Sequence, residues 1–117
     1  MARHNQIGKD GELLAAAYLQ QKGYTIIQQN WRHKNWEIDI IAHKGKRLHI
    51  IEVKTRTSLK FGHPEDNMDN KKMQSLINAA EEYMYQNPIW AQLQFDILAI
   101  TLSGKDAEYF LIEDVYL

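Results

Sequence analysis

The sequence predicts one domain of the α/β (α+β) class, in which helices flank a central mixed sheet. Two segments, residues 6–22 and 71–86, have apolar residues at helical spacing. Five further segments have the β-branched and aromatic content of strands, and they lie at residues 24–33, 36–42, 47–56, 93–102 and 107–117. The order along the chain is therefore helix, three strands, helix and two strands, which one mixed sheet can accommodate.

The length and composition are typical of a soluble globular domain. A chain of 117 residues can bury one hydrophobic core and is too short for two, so residues 1–117 are expected to form a single domain. No segment approaches the roughly 18 to 20 apolar residues that a membrane span requires, so we expect no membrane partner and a cytoplasmic location. The chain contains no cysteine, which excludes a disulfide scaffold and a thiolate metal site.

Local signals bound the two predicted helices. Asn5 is a suitable N-cap for the first helix, and Gly23 follows its last apolar residues as a stop signal. Pro88 ends the second helix. The stretch 61–70 is rich in Gly, Pro, Asn and Asp, so it is predicted to be a loop.

Positive charge is concentrated in the middle of the chain. The net charge of −1 gives no overall argument for a nucleic-acid partner. Between His43 and Phe61, however, the single acid Glu52 accompanies six basic residues: Lys44, Lys46, Arg47, Lys54, Arg56 and Lys60. From charge alone, two ordinary solvated surfaces, one basic and one acidic, remain the simpler explanation.

The second and third predicted strands carry charged residues among Ile and Val. A two-residue loop, Gly45-Lys46, would join them as a type II′ hairpin, since glycine suits its first central position. Directly opposed residues of such a hairpin project from the same face of the sheet. With Lys44 opposite Arg47, this register places two charged pairs on one face: Glu37 opposite Lys54, and Asp39 opposite Glu52.

These two pairs differ in what they require. Glu37 and Lys54 would form an ordinary cross-strand ion pair. Asp39 and Glu52 are like charges, so their opposition is unfavourable unless one pKa is raised, the groups are solvent-exposed or a cation is bound. Mg²⁺ is typically held by one or two protein carboxylates, and Lys54 would then orient a water molecule or meet phosphate charge. An exposed sheet face and a purely structural cluster of salt bridges are also consistent with the sequence.

Two short motifs resemble the PD-(D/E)xK nuclease signature: E-I-D at 37–39 and E-V-K at 52–54. The chain as a whole resembles the YraN family of small bacterial proteins, which is related to archaeal Holliday-junction resolvases. The matching stretches are residues 8–24, 30–42, 50–66 and 71–80. This resemblance implies a restriction-endonuclease-like core. One residue departs from the family pattern, because Trp36 stands where members commonly have glycine.

The resemblance implies a metal-dependent endonuclease that hydrolyses DNA phosphodiester bonds, with branched or junction DNA among its substrates. It implies Mg²⁺ or Mn²⁺ as the cofactor, and it assigns four catalytic residues: Glu12, Asp39, Glu52 and Lys54. By the same resemblance, Asp39, Glu52 and the backbone carbonyl of Val53 would hold the metal ion. Glu12 would bind a second ion or order a water molecule. Its position near a helix start is explained equally well by a solvent-facing acid that the helix dipole favours.

The contacts with DNA and the assembly are also implied by this resemblance. Arg56, Lys60 and Lys72 would contact DNA phosphates and contribute salt-dependent affinity. Junction resolvases cut two strands with paired subunits, so a homodimer is implied as well. The alternative is a non-catalytic nucleic-acid-binding module that retains the nuclease fold, and the modest net charge suits this alternative somewhat better.

Overall fold

A computed structural model describes the backbone of residues 2–57 and 70–115 and the side chains of residues 10–57 and 70–115. Its two helices and five strands follow the predicted order, α-β-β-β-α-β-β, which confirms the α+β class. In chain order the elements are α1 (Ala2–Gln21), β1 (Thr25–His33), β2 (Trp36–Lys44), β3 (Arg47–Arg56), α2 (Asn70–Gln86), β4 (Gln92–Ser103) and β5 (Asp106–Ile112). Among the described residues, no helix is long and apolar enough to cross a membrane.

The boundaries of α1 agree with the prediction at one end only. The helix begins at Ala2 rather than at residue 6, so Asn5 lies inside the helix and the prediction of an N-cap there was wrong. No glycine or proline interrupts residues 2–6, and Ala and Arg are good helix formers, so the helix extends toward the chain start. Gly23 has a φ of 96° and ends the helix region as predicted.

The last strand is shorter than predicted. β5 ends at Ile112 rather than at residue 117, because Asp114 has a φ of 57° and the backbone leaves the strand conformation there. The following amide, Val115 N–H, donates a hydrogen bond to the carbonyl oxygen of Phe95 at 2.8 Å. Of the predicted loop at 61–70, only Asn70 lies within the described residues, and it begins α2.

The five strands form one mixed sheet with the strand order β1-β2-β3-β4-β5. Three of the neighbouring pairs are antiparallel, and β3 with β4 is parallel. α2 lies in the crossover that a parallel pair requires. β2 and β3 form the predicted hairpin, with Lys44 opposite Arg47 and with Gly45 at a φ of 62° in the turn.

The two helices pack on opposite faces of this sheet. On one face, α2 contributes Leu76 and Tyr83 to a core that includes Ile38 and Ile50. On the other face, α1 contributes residues such as Leu19 to a second core. A fully buried Leu or Ile side chain contributes about 1.5–3 kcal/mol. β3 therefore lies between two apolar layers, and a charged side chain on it needs a specific partner.

β2 and β3 separate at the end of the hairpin that is distant from the turn. Their described ladder runs from the Lys44–Arg47 pair to the Ile40–Ile51 pair. β3 nevertheless stays paired with β4 as far as Arg56–Thr101. Beyond Ile51, backbone groups of β3 that face β2 must therefore find partners outside the ladder.

Candidate active site where β2 and β3 separate

Asp39 supplies a partner for the backbone of β3 at the point of separation. Its Oδ2 accepts a hydrogen bond from the backbone N–H of Val53 at 2.9 Å. The carboxyl group thus takes the place of a strand carbonyl just beyond the last Ile40–Ile51 pair. This bond fixes the Asp39 side chain between the two strands, next to Glu52.

Glu52 is a buried carboxylate with two lysine partners. Its residue is 7% exposed, and such burial is costly for an unpaired charge. Its Oε2 contacts the Nζ of Lys72, from the first turn of α2, and lies 3.4 Å from the Nζ of Lys54. Two positively charged groups from two different elements therefore converge on one carboxylate oxygen.

Asp39 and Glu52 titrate as an interacting pair. Burial, the negative charge of Glu52 and a hydrogen bond to Glu52 together raise the pKa of Asp39 from 3.8 to about 7, although the N–H of Val53 opposes the shift. Burial alone would raise the pKa of Glu52, but the hydrogen bond and charge of Lys72, with further help from Asp39 and Lys54, lower it overall. Near neutral pH the pair is therefore able to keep one proton on Asp39, while Glu52 is ionised.

The raised pKa of Asp39 agrees in direction with one of the three explanations that the sequence left open for the opposed acids. A bound cation, which is another of them, stays a prediction. Exposure of both groups to solvent is wrong, because β3 is central and α2 covers Glu52.

The two lysines have opposite pKa shifts. Burial and the nearby Lys72 lower the pKa of Lys54, and the attraction of Glu52 only partly compensates. Burial also acts to lower the pKa of Lys72, but its hydrogen bonds and the charge of Glu52 outweigh that effect and raise it. Lys54 is therefore the amine that gives up a proton more readily, and Lys72 is the more permanent charge.

These groups line one cavity of about 390 Å³. Five residues that the sequence singled out for the site line it together: Asp39, Glu52, Val53, Lys54 and Lys72. The rest of its described lining comes from the start of β2 and from α2: Asn35, Trp36, Glu37, Ser75 and Leu76. The cavity has the size of a small-ligand site and contains both carboxylates and ammonium groups.

Glu37 corrects one sequence prediction, because it does not pair with Lys54. Its Oε2 lies 2.6 Å from the Nε of Arg32, which stands directly opposite it on β1. The predicted pair would need β2 and β3 to remain in register at Glu37, and the strands have already separated there. Glu37 still lines the cavity, but its carboxylate is paired with Arg32.

Glu12 lies outside the described lining of this cavity. α1 approaches β3 closely at the preceding residue, because a Cβ atom on Gly11 would overlap the side chain of Thr55. The Oε2 of Glu12 accepts a hydrogen bond from the Nδ2 of Asn30 at 3.3 Å. Its role in metal binding or water ordering stays a prediction.

The residues predicted to contact DNA have different locations. Arg56 ends β3, and strand alternation places it on the same face as Glu52 and Lys54. Lys60 lies outside the described residues. Lys72 is deeper in the site than predicted, because it contacts Glu52 directly. The sequence contained a signal for this position, since Lys72 is one helical turn before the buried Leu76 and so shares its sheet-facing side.

The donor set at the cavity fits a hard divalent cation with few protein ligands. Among the described residues, no group of three or more His, Asp or Glu side chains is arranged to hold a metal ion. Asp39 and Glu52 offer two carboxylates, and Mg²⁺ is commonly bound through one or two carboxylates with water and phosphate oxygens completing its shell. Two adjacent hard-oxygen ligands therefore suit Mg²⁺ or Mn²⁺ and exclude a soft-metal site of the thiolate type.

Comparison with known proteins identifies relatives over almost the whole chain. A family model described as "Uncharacterised protein family UPF0102" matches residues 11–100. UPF0102 protein FP2501 of Flavobacterium psychrophilum is 43% identical over 116 residues, which are 99% of this chain and 98% of that protein. A UPF0102 protein of Flavobacterium johnsoniae is 45% identical over 117 residues, covering 97% and 93% of the two chains. The range 11–100 contains every described residue of the cavity.

Proposed function

The chain belongs to the UPF0102 family, which is also the YraN family, and we propose that it is a metal-dependent endonuclease that hydrolyses DNA phosphodiester bonds. One observation carries the proposal. Two hydrogen-bonded carboxyl groups, Asp39 and Glu52, lie beside the Lys54 ammonium in a cavity that is large enough for a phosphate group. Branched or junction DNA in the cytoplasm is the substrate that the resemblance to resolvases favours.

The proposed chemistry divides among the residues of the cavity. Asp39 and Glu52, with the carbonyl of Val53, would hold Mg²⁺ or Mn²⁺. When bound, the ion would neutralise charge on the phosphate and make a water molecule more nucleophilic. Lys54 would hydrogen-bond the attacking water and stabilise negative charge that develops on the phosphate oxygens. The water oxygen forms the new bond to phosphorus as the bond to the leaving sugar oxygen breaks. The attacking water releases a proton to solvent, and solvent supplies a proton to the leaving oxygen.

Positive charge around the cavity would hold the DNA backbone. Lys72 lies at the carboxylates, where it compensates the charge of Glu52. Arg56 and Lys60 would contact neighbouring phosphates, and each such contact makes the affinity depend more steeply on salt. Cutting two strands of a junction would require two copies of the chain, so a homodimer is part of this proposal.

The test is cleavage of a labelled four-way junction and of linear duplexes with the same arms. The wild-type protein and Glu52→Gln are compared in Mg²⁺, in Mn²⁺ and in EDTA. We expect metal-dependent cleavage by the wild type, and a loss of at least about a hundredfold in Glu52→Gln, since one of two carboxylate ligands becomes a neutral amide. Glu108→Gln is the matched control, because Glu108 is an exposed acid on β5, and it should retain wild-type activity.

Purification of all three proteins by one procedure exposes contaminating nuclease. Equal cleavage by the wild type and Glu52→Gln would overturn the proposal. DNA binding by a folded wild type that cleaves nothing in any metal would favour the non-catalytic binding module instead.

A further inference from the structure

A second cavity shares Trp36 with the cavity of the candidate active site. It also has a volume of about 390 Å³, and its described lining consists of Trp36, Asn78, Glu81, Glu82 and Tyr85. Trp36 lines the carboxylate–lysine cavity as well. Trp36 therefore lines two cavities of similar size.

The two cavities have opposite chemical character. The first contains the ammonium groups of Lys54 and Lys72, which attract phosphate. Among its described lining residues, the second has two carboxylates, one amide and two aromatic rings, with no lysine or arginine. It would repel a phosphate group, whereas its aromatic faces and hydrogen-bond acceptors suit a nucleobase with an exocyclic amino group.

The walls of the second cavity are held in place by contacts within the protein. The ring of Trp36 lies 6.0 Å from that of His33, and the ring of His33 stacks on the buried Trp31 at 6.0 Å with 11° between the planes. Glu82 accepts a hydrogen bond from the Nε2 of Gln86 at 2.8 Å. Tyr85, in contrast, is 82% exposed near the end of α2, which leaves its ring available at the mouth of the cavity.

We propose that this second cavity binds the unpaired base of a nucleotide whose phosphate is held in the first cavity, with the base stacked on Trp36. The proposal rests on the function proposed above and specifies its substrate. A base inside a duplex has both faces covered by its neighbours, so it must leave the stack to reach an aromatic wall of the protein. The protein therefore prefers DNA with an unpaired nucleotide next to the scissile phosphate over a continuous duplex.

The test is equilibrium binding of three fluorescein-labelled DNAs that differ at one nucleotide. The first is a continuous duplex, the second contains one bulged adenine, and the third contains an abasic residue in the place of that adenine. Kd is measured by fluorescence anisotropy at one salt concentration, in EDTA and in Ca²⁺. We expect the bulged adenine to bind roughly fivefold or more tightly than the abasic bulge, since base–aromatic stacking has an effect of this size.

A matched pair of variants assigns the preference to one aromatic ring. Trp36→Leu retains an apolar side chain without a stacking face and should bind the adenine and abasic bulges equally. Trp90→Leu removes a tryptophan that is partly buried but lies outside both cavities, and it should retain the preference. Circular dichroism and thermal unfolding establish that both variants fold.

Equal affinity of the wild type for adenine and abasic bulges would overturn the inference, and this result needs no variant. The proposed nuclease would survive that result if the wild type still cleaves DNA and Glu52→Gln does not. An absence of binding to all three DNAs in both buffers would overturn the inference together with the proposed function.

Discussion

Two clusters of acidic side chains include residues of β3. They differ in whether the protein supplies hydrogen-bond donors to all the carboxylate oxygens. On the α1 face, the Nδ1 of His49 lies 2.7 Å from the Oδ2 of Asp96, and the two side chains are 5% and 0% exposed. The Oδ1 of Asp96 accepts hydrogen bonds from the side chain of Gln94 and from the N–H of Asp114. Both oxygens of this carboxylate therefore have protein donors, and the cluster is closed.

On the α2 face, the pair of Asp39 and Glu52 is open to a cavity. Its two carboxyl groups lie next to each other, and burial together with the charge of Glu52 raises the pKa of Asp39 to about 7. In the closed cluster, hydrogen bonds to both carboxylate oxygens stabilise the fold. A pair of adjacent carboxyl groups that line a cavity, in contrast, retains affinity for a cation or a proton. The difference supports the proposed role of Asp39 and Glu52 and suggests a structural role for Asp96, and single substitutions can separate these roles.

The largest expected effect is on cleavage, at the open cluster. Lys54→Met should lower the cleavage rate by about 10²–10³-fold, the range for loss of one donor to charge that develops in the reaction, while the melting temperature changes little. Rates under single-turnover conditions measure this directly. Lys105→Met, at an exposed lysine in the β4–β5 turn, is the control. A wild-type rate in Lys54→Met would show that the ammonium has no part in the reaction.

The next effect is on stability, at the closed cluster. Asp96→Asn places an amide nitrogen among donors and removes the charge that faces His49, so the free energy of unfolding should fall by about 2–4 kcal/mol. Urea denaturation measures the change, with Asp106→Asn at the exposed first residue of β5 as the control. Cleavage per folded molecule should stay at the wild-type level. Loss of cleavage without loss of stability would mean that the closed cluster also acts in the reaction.

The smallest effect is a pH-dependent gain of stability in Asp39→Asn. The pKa of Asp39 is about 7 in the folded protein and near its ordinary value of 3.8 in the unfolded chain. Between these two pH values folding takes up a proton, so the free energy of unfolding falls as the pH rises through this range. Asparagine does not ionise, and its oxygen can still accept from Val53. One pKa unit corresponds to about 1.4 kcal/mol, and solvent screening reduces the full effect.

We therefore expect the stability of metal-free Asp39→Asn relative to the wild type to increase by on the order of 1–2 kcal/mol between pH 5 and pH 8.5. Denaturation curves in EDTA at the two pH values provide the comparison. The lowered pKa of Glu52 makes the free energy of unfolding rise with pH, but only near and below the ordinary pKa of 4.5. A difference that does not change with pH would contradict the raised pKa of Asp39.

Most of the fold could be predicted because it depends on local signals. Helical spacing, strand composition and a glycine turn indicated the element order and the Lys44–Arg47 register, and the structure confirms both. Two boundaries could not be placed this way. The start of α1 lacks a breaker, and the end of β5 depends on Asp114 meeting a side chain on β4, which is a tertiary contact.

The candidate site was predictable in its residues but not in its geometry. The opposition of Asp39 and Glu52 follows from the hairpin register, which the sequence contains. The separation of β2 from β3 has no local signal, and it decides that Asp39 bonds to the backbone of Val53. The partner of Glu37 is Arg32 on β1, and the β2–β3 hairpin register contains no information about that neighbour. The position of Trp36 in the lining of both cavities depends on α2 and is likewise tertiary.

The hydrogen bond from Val53 to Asp39 provides the protein with its own spectroscopic reporter. The amide proton of Val53 points at the carboxyl group whose charge changes near pH 7, so its NMR chemical shift should follow the ionisation of Asp39. Any ligand that alters that charge would move the same resonance. A single backbone signal, observed in a ¹⁵N-labelled sample, would therefore follow the state of the site without any attached label.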